Sequence, residues 1–398
     1  MTTDKSTSLV PKLRFPEFRD ASVWSSSPLE SVCDVLNNRR VPITTKDRKA
    51  GPFPYYGASG IVDNVDGFLF DERLILVGED GAKWGPFEET AFIAEGKYWV
   101  NNHAHVLRSI DLVDSLLMAY LVRSDLGRYV TGAAPPKLTL GKLKTIPIPI
   151  PSSPAEQQKI ADCLGSLDDL IAAEGRKLEA LREHKHGLMQ QLFPQPGETV
   201  PRLRFPDFQE APEWSIVPLG SLFHKRQETG FSDLPLLSVT DRDGVIPQDT
   251  TNRKNTANSN IAKYLRVVPG DIAYNTMRMW EGRSARVGME GVVSPAYTVC
   301  RPNVETNSYF FACYFKTKSL VKQFRTYSQG LVKDTLNLKY ETFSLISVGY
   351  PPLNEQKKIA DCLGSLDDLI STEGRKLEAL RQHKRGLMQQ VFPSLEEH

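Results

Sequence analysis

The chain has 398 residues, 40% of them hydrophobic, 9% aromatic and 24% charged, which is too long for one ordinary domain and fits two to four, and which excludes a disordered, fibrous or disulfide-framed protein. No apolar run approaches the roughly 18 residues of a membrane span, the polar start Met-Thr-Thr-Asp-Lys has no secretory core, and Cys33, Cys163, Cys300, Cys313 and Cys362 form no C-x-x-C pair, so a reduced, cytoplasmic protein without membrane contact is expected. The net charge is +1, but residues 30–150 are close to neutral while residues 215–350 carry +6, which favours an anionic partner for the second stretch.

The first recognisable element is LRFPEF (Leu13–Phe18), followed by Trp24 and Pro28-Leu29. After it come short apolar runs bounded by Gly, Pro, Asn and Asp, of which LILVG (Leu74–Gly78) reads as a strand. His103 and His105 form an H-x-H that lacks a third ligand and reads as a strand pair. A helix is expected around Asp114–Val130, then Gly132 with Leu138 and Leu140, then IPIPIP leading to Glu156-Gln157. Ser153-Pro154-Ala155-Glu156 supplies an N-cap, a Pro at the first helical position and a capping-box Glu, so a long helix should run to the stop at Phe193-Pro194.

The series then starts again. LRFPDF (Leu203–Phe208), Trp214 and Pro218-Leu219 repeat the opening 190 residues on, and Glu355–Pro393 repeats Glu156–Pro194 with 33 of 39 positions identical. Between the repeated segments the second insert shares little with the first. It offers a strand at Gly291–Val299, a helix around Asn307–Tyr327 and Gly330 with Leu336 and Leu338.

In the first repeated helix Ile160, Leu164, Leu167, Ile171, Leu178, Leu181, Leu188 and Leu192 occupy heptad a/d positions, interrupted by Glu174 and Lys185; the second copy is interrupted by Glu373 and Lys384. An antiparallel pairing of residues whose numbers sum to 558 sets Glu174 against Lys384 and Lys185 against Glu373, with every other seam residue in the overlap meeting an apolar one. A register one heptad away, at 551, places Lys384 against Leu167 and Glu174 against Leu377. Charge burial therefore favours the first, the alternative being that Glu174 and Lys185 reach out to solvent. Gly165, Gly175 and Gly187 weaken the helix, and either the close approach of another chain or local fraying accounts for them.

This order of LRFP-x-F, insert and EQ-entry helix, given twice, resembles the specificity subunit of Type I restriction-modification systems along essentially the whole chain. The resemblance implies an α+β fold in which two globular mixed α/β target-recognition domains are separated by two long antiparallel coiled-coil helices with internal two-fold pseudosymmetry. The corresponding divisions are residues 1–150 and 195–350 for the recognition domains and 151–194 and 351–398 for the spacer helices. It also implies double-stranded DNA, two methyltransferase subunits and restriction subunits as partners. No [ND]-P-P-[aromatic] methylation motif, Gly-x-Gly cofactor loop or G-x-x-x-x-G-K-[ST] phosphate loop is present, so no catalytic residue, metal or cofactor is expected in this chain, with S-adenosylmethionine, ATP and Mg2+ left to the partners. A fused methylation–restriction enzyme and a coiled-coil interaction protein are the rival readings. For DNA contact, residue chemistry selects Arg39, Arg40, Lys83, Trp84, Lys97, Asn101 and Asn102 in the first insert. In the second it selects Arg253, Lys254, Asn275, Arg278, Arg283, Arg286 and Tyr297, the last within a Ser294–Tyr297 motif, SPAY, that resembles one in such domains and serves either folding or readout.

Overall fold

A computed structural model describes residues 9–240, 244–250 and 261–393. The fold is α+β, and the chain divides into two compact units, Met1–Gly175 with Arg375–His398, and Arg176–Gly374. Both divisions fall inside helices of 39 residues, Pro154–Leu192 and Leu353–Val391.

The first unit contains strands β1 (Ser25–Pro28), β2 (Cys33–Val35), β3 (Ala50–Gly57), β4 (Gly60–Val65), β5 (Phe70–Asp71), β6 (Leu74–Gly78), β7 (Ala91–Ala94), β8 (Lys97–Val100), β9 (Ala104–Ser109) and β10 (Pro147–Ile150). They form an antiparallel sheet in the order β2-β9-β6-β7, a second sheet β4-β3-β8-β5, and a β1-β10 pair. The run LILVG is apolar throughout because β6 is covered on both faces. Ile75 and Val77 join one core with Leu116, Leu117 and Tyr120, while Leu74 and Leu76 join another with Phe70 and Tyr98. The helix expected at Asp114–Val130 ends at Arg123, and a 3-10 turn, Leu126–Tyr129, follows. The break comes where the Asp125 carboxylate accepts from Gly127 N, a local bond that competes with helix continuation.

The second unit carries β11 (Ser215–Pro218), β12 (Phe223–Arg226), β13 (Leu237–Val239), β14 (Val245–Pro247), β15 (Leu265–Val267), β16 (Ile272–Asn275), β17 (Ser284–Arg286), β18 (Gly291–Val293), β19 (Tyr297–Pro302) and β20 (Ser347–Tyr350). Its main sheet, β12-β19-β16-β17, repeats the order of β2-β9-β6-β7, and β11-β20 repeats β1-β10. The strand expected at Gly291–Val299 is broken by the SPAY segment, where Tyr297 N donates to Ser294 O and Ala296 N to the Ser294 hydroxyl, so in the structure the motif forms a turn. The helix expected around Asn307–Tyr327 is two helices, Ser308–Tyr314 and Lys318–Tyr327, the second capped by the Thr317 side chain. The second closing pattern aligns differently from its sequence reading. Leu138 N bonds Glu79 O and Leu338 N bonds Thr276 O, so Leu338, and not Leu336, matches Leu138 across a loop two residues longer.

One buried clamp holds each frame together, built from the motifs that recur. Arg14 donates to both carboxylate oxygens of Glu156 at 2.7 and 2.8 Å and to Ala21 O, and Trp24 Nε1 donates to the same carboxylate at 3.2 Å. In the second unit Arg204, Glu355, Ala211 and Trp214 reproduce every one of these bonds within 0.1 Å. The Arg and Glu side chains are 7% and 1% exposed in both. Glu156 N does bond the Ser153 hydroxyl, as the capping box requires, but the carboxylate turns to the arginine instead of back to the cap. The opening segments also dock alike on helix ends: Leu13 N to Gln390 O, and Leu203 N to Gln191 O.

The antiparallel helix pairing is present in each unit, in the register that charge burial disfavours. Glu174 pairs with Lys376 and Lys384 with Asp168 in the first unit; Lys177 pairs with Glu373 and Lys185 with Asp367, both at 2.6 Å, in the second. These partners sum to 550 or 552, so the pairings Glu174–Lys384 and Lys185–Glu373 do not form. Each seam charge is met from the side by an acid or a lysine flanking the stripe, at heptad e and g positions, while Glu174 and Glu373 stay buried at 8% exposure. Gly165, Gly175 and Gly187 have nothing within 4 Å of where a Cβ would sit, so none answers to a close approach among the described residues.

Candidate nucleic-acid interface

In each unit the loop that follows a strand of the main sheet, β6 or β16, is tied to a segment that precedes a short helix, 131–137 or 329–337, through Leu138 N to Glu79 O or Leu338 N to Thr276 O. In the first, the segment after β6 begins at Gly78, where a Cβ would stand 2.4 Å from Ala82 Cβ and 2.8 Å from Ala58 O. Trp84 Nε1 returns to Gly78 O at 3.0 Å and the Thr90 hydroxyl to Lys83 O at 2.7 Å, which fixes the loop's shape. Asp80 joins it to neighbouring segments through Lys137 at 2.8 Å and His103 at 2.5 Å. Burial works to raise the Asp80 carboxyl, but its two cationic or donor neighbours outweigh this and hold it below the usual carboxylate range.

The structure gives most of the candidate residues of the first insert a task inside the fold. Arg39 bonds Glu72 at 2.7 Å and lies 4.4 Å over the Phe70 ring. Arg40 bonds Glu79 at 2.8 Å and the carbonyls of Asn37, Asn102 and Ala104. Asn101 is buried and its Oδ1 accepts from His103 N, while Lys97 sits 4.8 Å over Phe68. Glu79 N bonds His103 O, so Asn102 and the Lys83–Trp84 loop lie on adjoining segments, and Lys83 is 81% exposed with Glu88 at 3.8 Å. His105 is fully buried: Nε2 donates to Leu138 O at 2.7 Å and Nδ1 accepts from the Asn37 amide at 2.9 Å. Both ring nitrogens are thereby used, and among the described residues no group of three His, Cys, Asp or Glu is placed to hold a metal.

In the second unit Asn275 ends β16 opposite Tyr297, its Oδ1 accepts from Met277 N, and Arg278 and Arg283 both reach Glu281, at 3.6 and 3.1 Å. Trp280 Nε1 donates to Met277 O, and Lys333 stands 5.2 Å over the Trp280 ring, joining this loop to the segment Gln329–Asn337. Asn275, Arg278, Arg283 and Tyr297 are thus brought together, whereas Arg286 bonds Ser308 and lines a cleft with Asn307, Tyr309, Asp361 and Asp368. Arg253 and Lys254 lie outside the described residues. Lys333 was not selected from the sequence; Gly330, which begins its loop, was the available signal.

The family model of the Type I restriction modification DNA specificity domain matches residues 22–183 and 213–382. The chain belongs to that family. Among relatives of this specificity subunit, a type I restriction enzyme specificity subunit of Haemophilus influenzae is 38% identical over 144 residues, 35% of this chain and 37% of that one. The MjaVIII type I specificity subunit of Methanocaldococcus jannaschii is 23% identical over 421 residues, 94% and 92% of the two chains. The crystal structure of a type I restriction-modification S subunit from M. genitalium has the same fold, with a TM-score of 0.63 at 15% identity, covering 97% of this chain and 100% of that one. Among the described residues no helix is long and apolar enough to cross a membrane.

Proposed function

We propose that each unit of this specificity subunit binds one half of a split double-stranded DNA target, that the two long helices set the distance between the halves, and that the same helices dock two methyltransferase subunits. One observation carries the reading: the same sheet order and the same Arg–Glu–Trp clamp recur in both units, while the loops at the sheet ends differ. Duplicated scaffolding with unlike loops fits two readers of unlike sequence. Leu170 and Leu369, exposed at the same position of each repeat, fit two copies of one docking partner. Residues 1–150 and 195–350 serve as the recognition domains and residues 151–194 and 351–398 as the spacers. The chain itself is not an enzyme in this reading; methyl transfer from S-adenosylmethionine, ATP hydrolysis and Mg2+ belong to the methyltransferase and restriction subunits, and the complex works in the cytoplasm.

Lengthening both helices by one heptad, after Gly175 and after Gly374 where the two units divide, keeps all four ion pairs and tests the reading. Seven residues add about 10 Å, equivalent to about three base pairs at the 3.4 Å rise of B-DNA. Mapping methylated adenines in cells carrying the altered system should return the same half-sites with a longer gap. An unchanged gap in a complex that still methylates refutes the spacer role, and methyl transfer by the purified chain alone refutes the division of labour.

A further inference from the structure

The segment Gln329–Asn337 is braced to a degree unusual for a loop that touches so little. Its ends exchange backbone bonds, Gln329 N to Asn337 O and Asn337 N to Gln329 O, each 2.8 Å. The Asn337 amide donates to Gln329 O and Thr335 O, and the Thr335 hydroxyl accepts from Val332 N at 3.2 Å. Gly330 has φ +143°, and a Cβ there would stand 2.6 Å from the Thr335 carbonyl carbon and oxygen, so the turn admits only glycine. What this frame holds out is apolar: Leu331 is 101% exposed and Val332 61%.

One exposed leucine is ordinary. Here two aliphatic side chains follow one another on a stiffened tip, with the exposed Met277 on the adjoining loop and two cations beside them, Lys333 over the Trp280 ring and the half-exposed Arg278. A side chain that enters a base stack must be apolar, must be held so that entry costs little ordering, and must be flanked by charges that meet phosphates. The tip meets all three conditions. The corresponding loop of the first unit, closed by the Thr131–Lys137 bridge, carries Ala133, Ala134, Pro135 and Pro136 and no long aliphatic chain. We propose that Leu331, supported by Val332, is a wedge that enters the DNA duplex between base pairs of the half-site bound by the second unit, with Lys333 and Arg278 on the neighbouring phosphates. The proposal rests on the DNA-reading function given above.

The test uses the full chain assembled with its methyltransferase subunits and a duplex carrying the mapped target, with 2-aminopurine placed at successive positions of each half-site. Its fluorescence rises when a base unstacks. The wild-type complex should brighten the probe severalfold at one step of the second unit's half-site. Leu331→Ala should abolish that signal and weaken binding by roughly tenfold or more, as loss of a buried leucine side chain implies; Leu331→Met should restore both. Lys333→Ala should lower the salt dependence of binding by about one counterion. Bound DNA with no bright step, or an L331A complex as bright as wild type, overturns the wedge. So does an L331A chain that no longer assembles with the methyltransferase subunits, since the tip would then be a protein contact. A wild-type complex that shows no sequence-specific binding overturns the functional reading, and the wedge with it.

Discussion

Arg14→Met should damage the first unit and leave the second intact. The Arg14–Glu156 pair is almost wholly withdrawn from water, and removing one member of such a pair strands the other charge, at a cost of about 3–5 kcal/mol. For a unit of this size each kcal/mol moves the midpoint by about 2–4 °C, so the first unit should melt roughly 6–20 °C lower. Trp24 Nε1 would still donate to the carboxylate, but at 3.2 Å it replaces neither of the two shorter bonds from the guanidinium. Hydrogen exchange resolved by segment is the appropriate assay. Amides of β6 and β9 should lose protection while those of β16 and β19 keep it, and Arg204→Met should show the converse. The double variant Arg14→Met/Glu156→Leu should recover much of the loss, because the orphaned charge is gone. A loss below about 1 kcal/mol in R14M, or a double variant as weak as the sum of the singles, would refute the account of the clamp.

The helix register is open to charge swapping: Asp168→Lys and Lys384→Asp should each destabilise the first unit and together restore it, with a coupling of about 0.3–1 kcal/mol because Asp168 is half exposed. Glu174→Lys with Lys384→Glu should show no such rescue, and restoration there in place of the first pair would return the register to 558. His105 makes stability depend on pH. Burial is the main influence and holds its imidazole below the ordinary 6.5, against the opposing pull of Leu138 O and Glu79. The unfolded chain therefore takes up a proton near 6.5 that the folded one refuses, so this contribution is complete above 6.5 and is lost as pH falls towards the folded value. Thermal midpoints measured from about pH 7 down to 5 should fall more steeply for wild type than for His105→Gln; parallel profiles would contradict the buried neutral ring.

The long helices, the serine cap of the first and the strand at Leu74–Gly78 were legible because each rests on local pattern: a 3.5 repeat, a proline after a serine, an apolar run between turns. The register was not legible because the seam positions alone do not decide it. Asp168, Asp367, Lys177 and Lys376 lie beside the stripe, and a scheme that faces seam residues only with each other omits the partners they take. The clamp was half visible. Arg14, Trp24 and Glu156 recur with their copies, yet their meeting joins residues 142 apart in sequence, and the spacing of Ser153 and Glu156 offered a nearer task for the carboxylate. Arginines chosen for base readout met a related difficulty: Arg39 and Arg40 have the right chemistry for guanine and equally for Glu72 and Glu79, and only folding reveals which carboxylate each faces.

Leu13 on the end of the second long helix also has a meaning for synthesis. The core of the first unit includes Met388, Val391 and Phe392, and Trp24 and Tyr120 pack edge-on against the Phe392 ring. The corresponding place in the second unit is filled by Leu192 and Phe193, which leave the ribosome before the sheet and the short helices they pack against. Domains ordinarily fold in the order in which they are made. Here the opening motif waits for Met388, Val391 and Phe392, so the second unit closes first and the first unit stays open until those residues are made. A chain released after residue 374 would keep every residue of the second unit and lose the lid of the first.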